Sequence, residues 1–290
     1  MMSGLRKVLV PLDMWEGTGK ILSAVEEIAR VGVDEIELLH VVNLRDASVN
    51  PQISAYDEEV LSTWKKHLRS CGVPVVTTTV IHGIPWIEII ERSEREDLSL
   101  IVLGSHGRSI VSRMLLGSTT ENVIHHAEAT VLILRMKILE EAGAMTCRLA
   151  TDRIFGRILY VTDFSENAER CLPYLTWMAP ARPAEVLVVH VQDLRHLSYA
   201  TPKQMDELNR SNTQRLDELK KKLRGMGFEK VSTVIRTGNA ITEIHNVAHD
   251  SGASLIVMGA KGKYGVPEMI LGGTTEAVVH QSGLHVLVVR

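Results

Sequence analysis

The pattern Gly104-x2-Gly107-x9-Gly117-Ser118 returns 155 residues later as Gly259-x2-Gly262-x9-Gly272-Gly273, each time after an apolar run that reads as a buried strand. More than a loop is repeated. Val10-Pro11-Leu12-Asp13 is answered by Tyr160-Val161-Thr162-Asp163, and His40-Val41 by His190-Val191, both 150 residues on. Self-similarity of this extent marks a duplicated domain and restricts the fold to one that the chain can build twice. Five extra residues in the second copy fall between its His-Val pair and its first motif glycine, in a helix or flanking loop where insertions are tolerated. The expected division is a first domain over 1–137, a linker over 138–154 and a second domain over 155–290. Between Met136 and Phe155 no strand is read, and Ile138, Leu139, Ala142 and Met145 fit one short helix.

Each half alternates short aliphatic runs with longer amphipathic stretches. Strands are expected at Lys7–Leu12, Ile36–Val42, Val75–Ile81, Leu100–Gly104 and Thr130–Arg135, then at Arg157–Thr162, Glu185–Val191, Val231–Arg236, Ser254–Gly259 and His285–Arg290. Runs such as Leu100-Ile101-Val102-Leu103 are apolar on both faces, as parallel strands covered by helices on either side must be. Five such strands per half in a β-α-β rhythm predict a doubly wound α/β sheet, formed twice. Among the helices, Asp163 and Glu166 have capping-box spacing, and Pro173 must bend or interrupt the helix that they open. Pro85 falls at a first helical turn, and Met205, Leu208, Leu216, Leu219 and Leu223 form one core-facing stripe on a charged helix.

A chain of 290 residues suffices for two ordinary domains, each with its own core. With 45% hydrophobic residues, 23% charged residues and a formal charge of −3, nothing favours nucleic acid as a partner. Aromatics at 4% leave the cores aliphatic and offer no base-stacking surface. Cys71, Cys147 and Cys171 are odd in number, lack CxxC spacing and read as reduced thiols. Met1 to Lys7 has no apolar signal core and no apolar run approaches a membrane span of about 18 residues, so a cytoplasmic chain without membrane attachment is expected.

Chemistry enters at the glycine loop. Ligands of open parallel sheets bind beyond the carboxyl ends of strands, where Gly104 stands. Gly104 and Gly107 remove Cβ atoms, so that backbone N–H groups can approach phosphate oxygens. Gly117-Ser118 then opens a helix whose free N–H groups and positive dipole end favour an anion, with the Ser118 hydroxyl as a further donor.

These residues together resemble the universal stress protein family in its tandem form, since G-x2-G-x9-G-[ST] is similar to the signature of its nucleotide-binding branch. The resemblance implies an adenine-nucleotide α-hydrolase-like fold with strand order 3-2-1-4-5 in each half. It places Asp13 near the nucleoside, the backbone of Val41 at the adenine edge, and Gly104, Gly107, Gly117 and Ser118 around ribose and phosphates; His106 and Thr119, beside these positions, are added as candidate contacts. Asp163, Val191, Gly259, Gly262 and Gly272 match in the second half, with Gly273 and Thr274 as the candidate contacts that follow them. The implied ligand is ATP or another adenine nucleotide, with Mg2+ accompanying bound ATP. Two departures stand out: Met14-Trp15-Glu16 replaces the segment that Phe164-Ser165-Glu166 matches, and Gly273 occupies the Ser/Thr position unless Thr274 or Thr275 substitutes as donor.

Competing motifs are weaker. Gly17-Thr18-Gly19-Lys20 lacks the earlier glycine and following Ser/Thr of a P-loop. His245 and His249 share a helical face without a third ligand, and are read as ordinary histidines. His106 either touches a phosphate or is simply exposed; His40 and His190 end strands where a structural hydrogen bond is expected. His125 and His126 have no recognisable partner, and Arg108 and Lys261 are read as solvated loop cations. No Ser-His-Asp ordering or carboxylate pair can be assembled, so catalysis is not the leading reading.

That leading reading is a stress-response sensor or adaptor that binds an adenine nucleotide and reports its occupancy to a protein partner. A nucleotide-independent interaction protein is the alternative. A slow ATPase or autophosphorylating protein using Ser118, Thr119 or Thr120 is the third. Val131-Leu132-Ile133-Leu134 and Val286-Leu287-Val288-Val289 would be unprotected sheet edges, which predicts that they pair in an internal pseudo-dimer; a homodimer of whole chains is a further option.

Overall fold

The computed structural model describes residues 5–15, 17–43, 51–94, 98–106, 116–141, 144–196, 201–263 and 271–290. The chain divides into two compact units between Asp152 and Arg153. The first contains β1 (Leu5–Leu12), α1 (Thr18–Val31), β2 (Val33–Asn43), α2 (Pro51–Ser70), β3 (Val75–Gly83), α3 (Pro85–Glu94), β4 (Leu100–Gly104), α4 (Ser118–His126) and β5 (Val131–Leu134), followed by β6 (Met136–Glu141) and β7 (Ala144–Leu149). The second contains β8 (Ile158–Val161), α5 (Glu166–Glu169), α6 (Cys171–Met178), β9 (Val186–Asp193), α7 (Pro202–Gly225), β10 (Val231–Gly238), α8 (Ala240–Asp250), β11 (Leu255–Gly259), α9 (Gly273–Gln281) and β12 (His285–Val289).

Within the first unit the parallel strands run in the order β3-β2-β1-β4-β5, and within the second β10-β9-β8-β11-β12. Both match the expected 3-2-1-4-5 order. The order reverses between β1 and β4, and between β8 and β11, so connections leave each pair of strands toward opposite sides and open a crevice at their carboxyl ends. Strands β4, β5, β11 and β12 are apolar on both faces because helices cover both, and Val8, Ile101, Leu132, Leu159, Val257 and Leu287 lie in the resulting cores.

The duplication extends to backbone torsions. Met14 and Phe164, each just after a motif aspartate, have φ of 51° and 61°. Gly72 and Gly227 end α2 and α7 with φ of 100° and 101°. A left-handed residue there reverses the chain after the last helical turn, where glycine avoids the Cβ clash.

Two local expectations are corrected. The segment after β5 is neither strandless nor helical: β6 and β7 pair antiparallel from Met136↔Leu149 to Glu141↔Ala144, with residues 142 and 143 outside the described set. Ala150 N donates to the Arg135 carbonyl at 2.8 Å, closing the base of this hairpin. The helix after Asp163 is capped not by Asp163 but by Ser165, whose Oγ accepts from Ala168 N at 3.2 Å. Pro173 lacks an N–H and its ring would clash with the Glu169 carbonyl of a continuous helix, so α5 ends and α6 begins around Arg170.

Candidate functional site

The two crevices are built by the same bonds. Thr120 Oγ1 donates to the Gly104 carbonyl at 2.7 Å, and Thr275 Oγ1 to the Gly259 carbonyl at 2.9 Å. Gly117 N donates to the Ser105 carbonyl and Gly272 N to the Ala260 carbonyl, both at 2.8 Å. These bonds clamp the first turn of α4 or α9 over the end of the preceding strand. Thr120 and Thr275 were legible only as hydroxyls near a phosphate loop; both are buried and committed to the clamp. Thr275 is thereby removed as a substitute phosphate donor, leaving the half-buried Thr274.

Gly117 and Gly272 are the N-caps of α4 and α9, extended in conformation and with no side chain capping either helix. The contrast is with α5, α7 and α8, where Ser165, Thr201 and Asn239 accept a bond from the first turn. At the two crevices, the first-turn amides at Ser118 and Thr119, and at Gly273 and Thr274, face no internal cap oxygen. They carry the positive dipole end with them. Ser118 is exposed and its hydroxyl has no hydrogen bond to the described residues; a Cβ at Gly273 would meet nothing within 4 Å. The residues therefore fit an anionic group docked on each helix end.

The strand-end glycines have a packing reason to be glycine that spacing did not show. A Cβ on Gly259 would stand 2.8 Å from the Asn167 carbonyl oxygen, so this glycine lets α5 pack against β11. On Gly104 it would meet Ile21 Cδ1 at 2.7 Å, a similar approach by α1. Gly262 belongs to the loop itself: a Cβ there would be 2.8 Å from Asp163 Oδ2. Gly107 and Arg108 lie outside the described residues.

Asp163 ties the end of β8 to that loop. Its Oδ1 accepts from Ser165 N at 3.0 Å and Ser165 Oγ at 2.6 Å, while Oδ2 accepts from Lys263 N. The sequence suggested proximity to the ligand but not this bond to the glycine loop. Asp13 holds the corresponding place after β1. There Trp15 N donates to Thr18 Oγ1 at 3.0 Å, and the indole packs so closely that a Cβ on Gly17 would lie 2.2 Å from it. The turn after Asp13 is thus shaped by Trp15 and Thr18, with Glu16 outside the described residues.

Behind each turn stands a histidine. His40 Nδ1–H donates to the Leu12 carbonyl at 2.7 Å, and His190 Nδ1–H to the Thr162 carbonyl at 2.8 Å, each joining neighbouring strand ends. These are the structural bonds expected of them. His40 Nε2 faces the buried Asp57 at 3.3 Å. His190 instead lies against Phe164, with ring centroids 4.4 Å apart, and Arg215 of α7 stands 4.2 Å from the Phe164 centroid. Burial pushes the His190 imidazole below its ordinary range; the Thr162 bond and Asp163 oppose this only in part. Val41 is buried and Val191 half-buried on the strands carrying these histidines.

Helix α7 supplies residues that motif spacing did not reveal. Asn209 accepts from Gln192 Nε2 at 2.9 Å, Arg215 donates to the Phe164 carbonyl at 3.2 Å, and Asn212 is buried within the apolar stripe with Nδ2 unpartnered among the described residues. A polar residue at stripe spacing in α7 was the available signal. His106 is buried, not exposed, with Nδ1 2.8 Å from Ser105 Oγ, and that hydroxyl also accepts from Met136 N at 2.9 Å. His125 and His126 find local partners in Glu121 and the Asn122 carbonyl. His245 is half-buried and His249 is exposed beside Asp250.

Parallel strands in the order 3-2-1-4-5 in each unit, with an uncapped helix beginning at each switch point, define a tandem doubly wound α/β protein. The chain belongs to the universal stress protein family, whose family model matches residues 4–135 and 155–290. Universal stress protein MJ0577 of Methanocaldococcus jannaschii is 33% identical over 156 residues, covering 47% of this chain and 96% of its own. Universal stress protein Rv2005c of Mycobacterium tuberculosis is 25% identical over 221 residues, 74% of this chain and 69% of its own. The crystal structure of a universal stress protein from Archaeoglobus fulgidus superposes with a TM-score of 0.72 at 28% identity, covering 98% of both chains.

Proposed function

We propose that this chain is a cytoplasmic stress-response sensor or adaptor that binds an adenine nucleotide, with ATP the leading candidate, and passes its occupancy to a protein partner. One observation carries the reading: α4 and α9 begin at the two switch points on glycine caps that leave their first-turn amides without a side-chain acceptor, as α1 does on Gly17, while α5, α7 and α8 spend a side chain on that task. The phosphates would take the first-turn amides and the Ser118 hydroxyl, and the nucleoside would extend toward Asp13 and Val41, or Asp163 and Val191. Membership of the family supports the same placement. Mg2+ would balance the charge of the terminal phosphates of ATP.

A bound nucleotide can shift a conformation only through unequal affinity for two states. Asp163 and Lys263 supply a contact through which such a difference could arise, since a ligand entering the loop meets a bond that already fixes it. Calorimetric titration of the ligand-stripped full-length chain with ATP, ADP and AMP tests the proposal. Saturable binding of at least one is expected, and heats indistinguishable from buffer for all three would overturn it.

A further inference from the structure

Glu26 on α1, and His67 and Cys71 at the end of α2, bring their donor atoms within 4.8 Å of one another, outside both crevices. His67 Nε2 lies 2.7 Å from Glu26 Oε1 and 3.8 Å from Cys71 Sγ. We propose that Glu26, His67 and Cys71 form a zinc-binding site with a fourth position open to solvent.

The three donors converge on one point. A thiol, imidazole and carboxylate arranged to relay a proton would use opposite nitrogens of the ring; here sulfur and carboxylate oxygen both approach Nε2. Three donors gathered around one point suit a cation. His67 and Cys71 stand four apart, one turn of helix, so their side chains share a face, and α1 contributes the third ligand across the packing seam. Bonds of about 2.0–2.1 Å to nitrogen and oxygen and about 2.3 Å to sulfur would separate tetrahedral ligands by roughly 3.3–3.6 Å. Only small side-chain movements reach this from the observed distances. Thiolate with imidazole favours zinc over magnesium or calcium.

The neighbours fit this role. Trp64 packs edge-on against the His67 ring at 5.2 Å and restrains its rotation. Arg30 takes the other carboxylate oxygen, Glu26 Oε2, at 3.3 Å, leaving Oε1 toward the histidine. His67 is exposed and Cys71 half-buried, which provides an entry path. The second unit serves as an internal control. Aligned on Gly72 and Gly227, His67 and Cys71 correspond to Lys222 and Met226, and the 150-residue offset places Thr176 opposite Glu26. The helix ending is therefore built without the triad, so the fold does not by itself demand these three residues.

The test uses the reduced, tag-free, full-length protein titrated with Co2+, followed by Zn2+ as competitor. One Co2+ per chain is expected, with tetrahedral ligand-field bands and a thiolate charge-transfer band that Zn2+ removes. Cys71→Ser should abolish the charge-transfer band, while His67→Gln and Glu26→Gln should each weaken binding by about 10-fold or more. The paired change Cys147→Ser, Cys171→Ser should leave the band in place. Absence of a thiolate band, its survival in Cys71→Ser, or unchanged affinity in both other variants would overturn the proposal. A second measurement avoids any folding defect: in the unaltered chain Zn2+ should slow alkylation of Cys71 at least 10-fold, and an unchanged rate would count equally against the site.

Discussion

At the scale of the residue, Gly259 and Gly104 were recognisable from spacing, but their reason was not. Spacing marks the absence of a side chain without showing what occupies the space. Since the Asn167 carbonyl is backbone and cannot rotate away, Gly259→Ala should cost about 1–3 kcal/mol of stability. Gly104→Ala should cost less, because Ile21 can turn its terminal methyl aside. Denaturant melts of the two variants should rank in that order; equal losses would refute the packing account. His190 makes a second prediction. Burial depresses its folded-state pKa below the ordinary 6.5, so as pH falls the unfolded chain takes up the proton first. Stability is then retained above pH 6.5 and declines below it, down to the depressed value. Burial shifts His245 in the same direction. The decline should be shallower in His190→Asn, and an identical pH profile would remove His190 from the explanation. The partnership of Phe164, His190 and Arg215 was hidden because it joins three elements that no local pattern relates.

At the scale of the element, the ten parallel strands among the described residues were legible, because doubly covered parallel strands leave uninterrupted aliphatic runs. The β6–β7 hairpin was not. Ile138, Leu139, Ala142 and Met145 fall near helical spacing, while Met145, Cys147 and Leu149 alternate, and short apolar segments do not decide between the two periods. A charged cluster inside the first sheet also escaped notice. Glu37 on β2 is buried and binds Arg92 Nη2 of α3 at 2.7 Å, Thr79 Oγ1 of β3 at 2.9 Å and Lys7 Nζ of β1 at 3.3 Å. Burial pushes this carboxyl upward, but the hydrogen bonds and two cations outweigh it and hold it below the ordinary 4.5. The second unit has Leu187 at the corresponding place. Arg92→Met should therefore destabilise the first unit by about 1–3 kcal/mol near neutrality, Lys7 and Thr79 remaining as partners. The deficit should shrink below pH 4.5, where the unfolded carboxyl protonates and the advantage of the folded carboxylate is lost. A deficit independent of pH would mean that Arg92 acts through packing alone.

At the scale of the whole molecule, duplication made the architecture legible and also shows where the copies have diverged. The proposed phosphate sites differ by Ser118 against Gly273, and Thr275 cannot repair the difference because its hydroxyl holds the Gly259 carbonyl. Two classes of nucleotide site are expected, the tighter one in the first unit. Ser118→Gly should weaken it by roughly 10- to 150-fold, corresponding to about 1.5–3 kcal/mol for a hydrogen bond to a charged group. Calorimetry on the full chain would show this as loss of the stronger isotherm, and equal sites in the unaltered protein would contradict it. The bond from Lys263 N to Asp163 gives the second unit a reporter of its own. While Asp163 accepts this bond, the amide proton is sheltered from exchange with solvent; a ligand or partner that drew Asp163 away would set the proton free. Deuterium uptake at this one amide turns an event inside the crevice into a clock that can be read without labelling the ligand or knowing the partner.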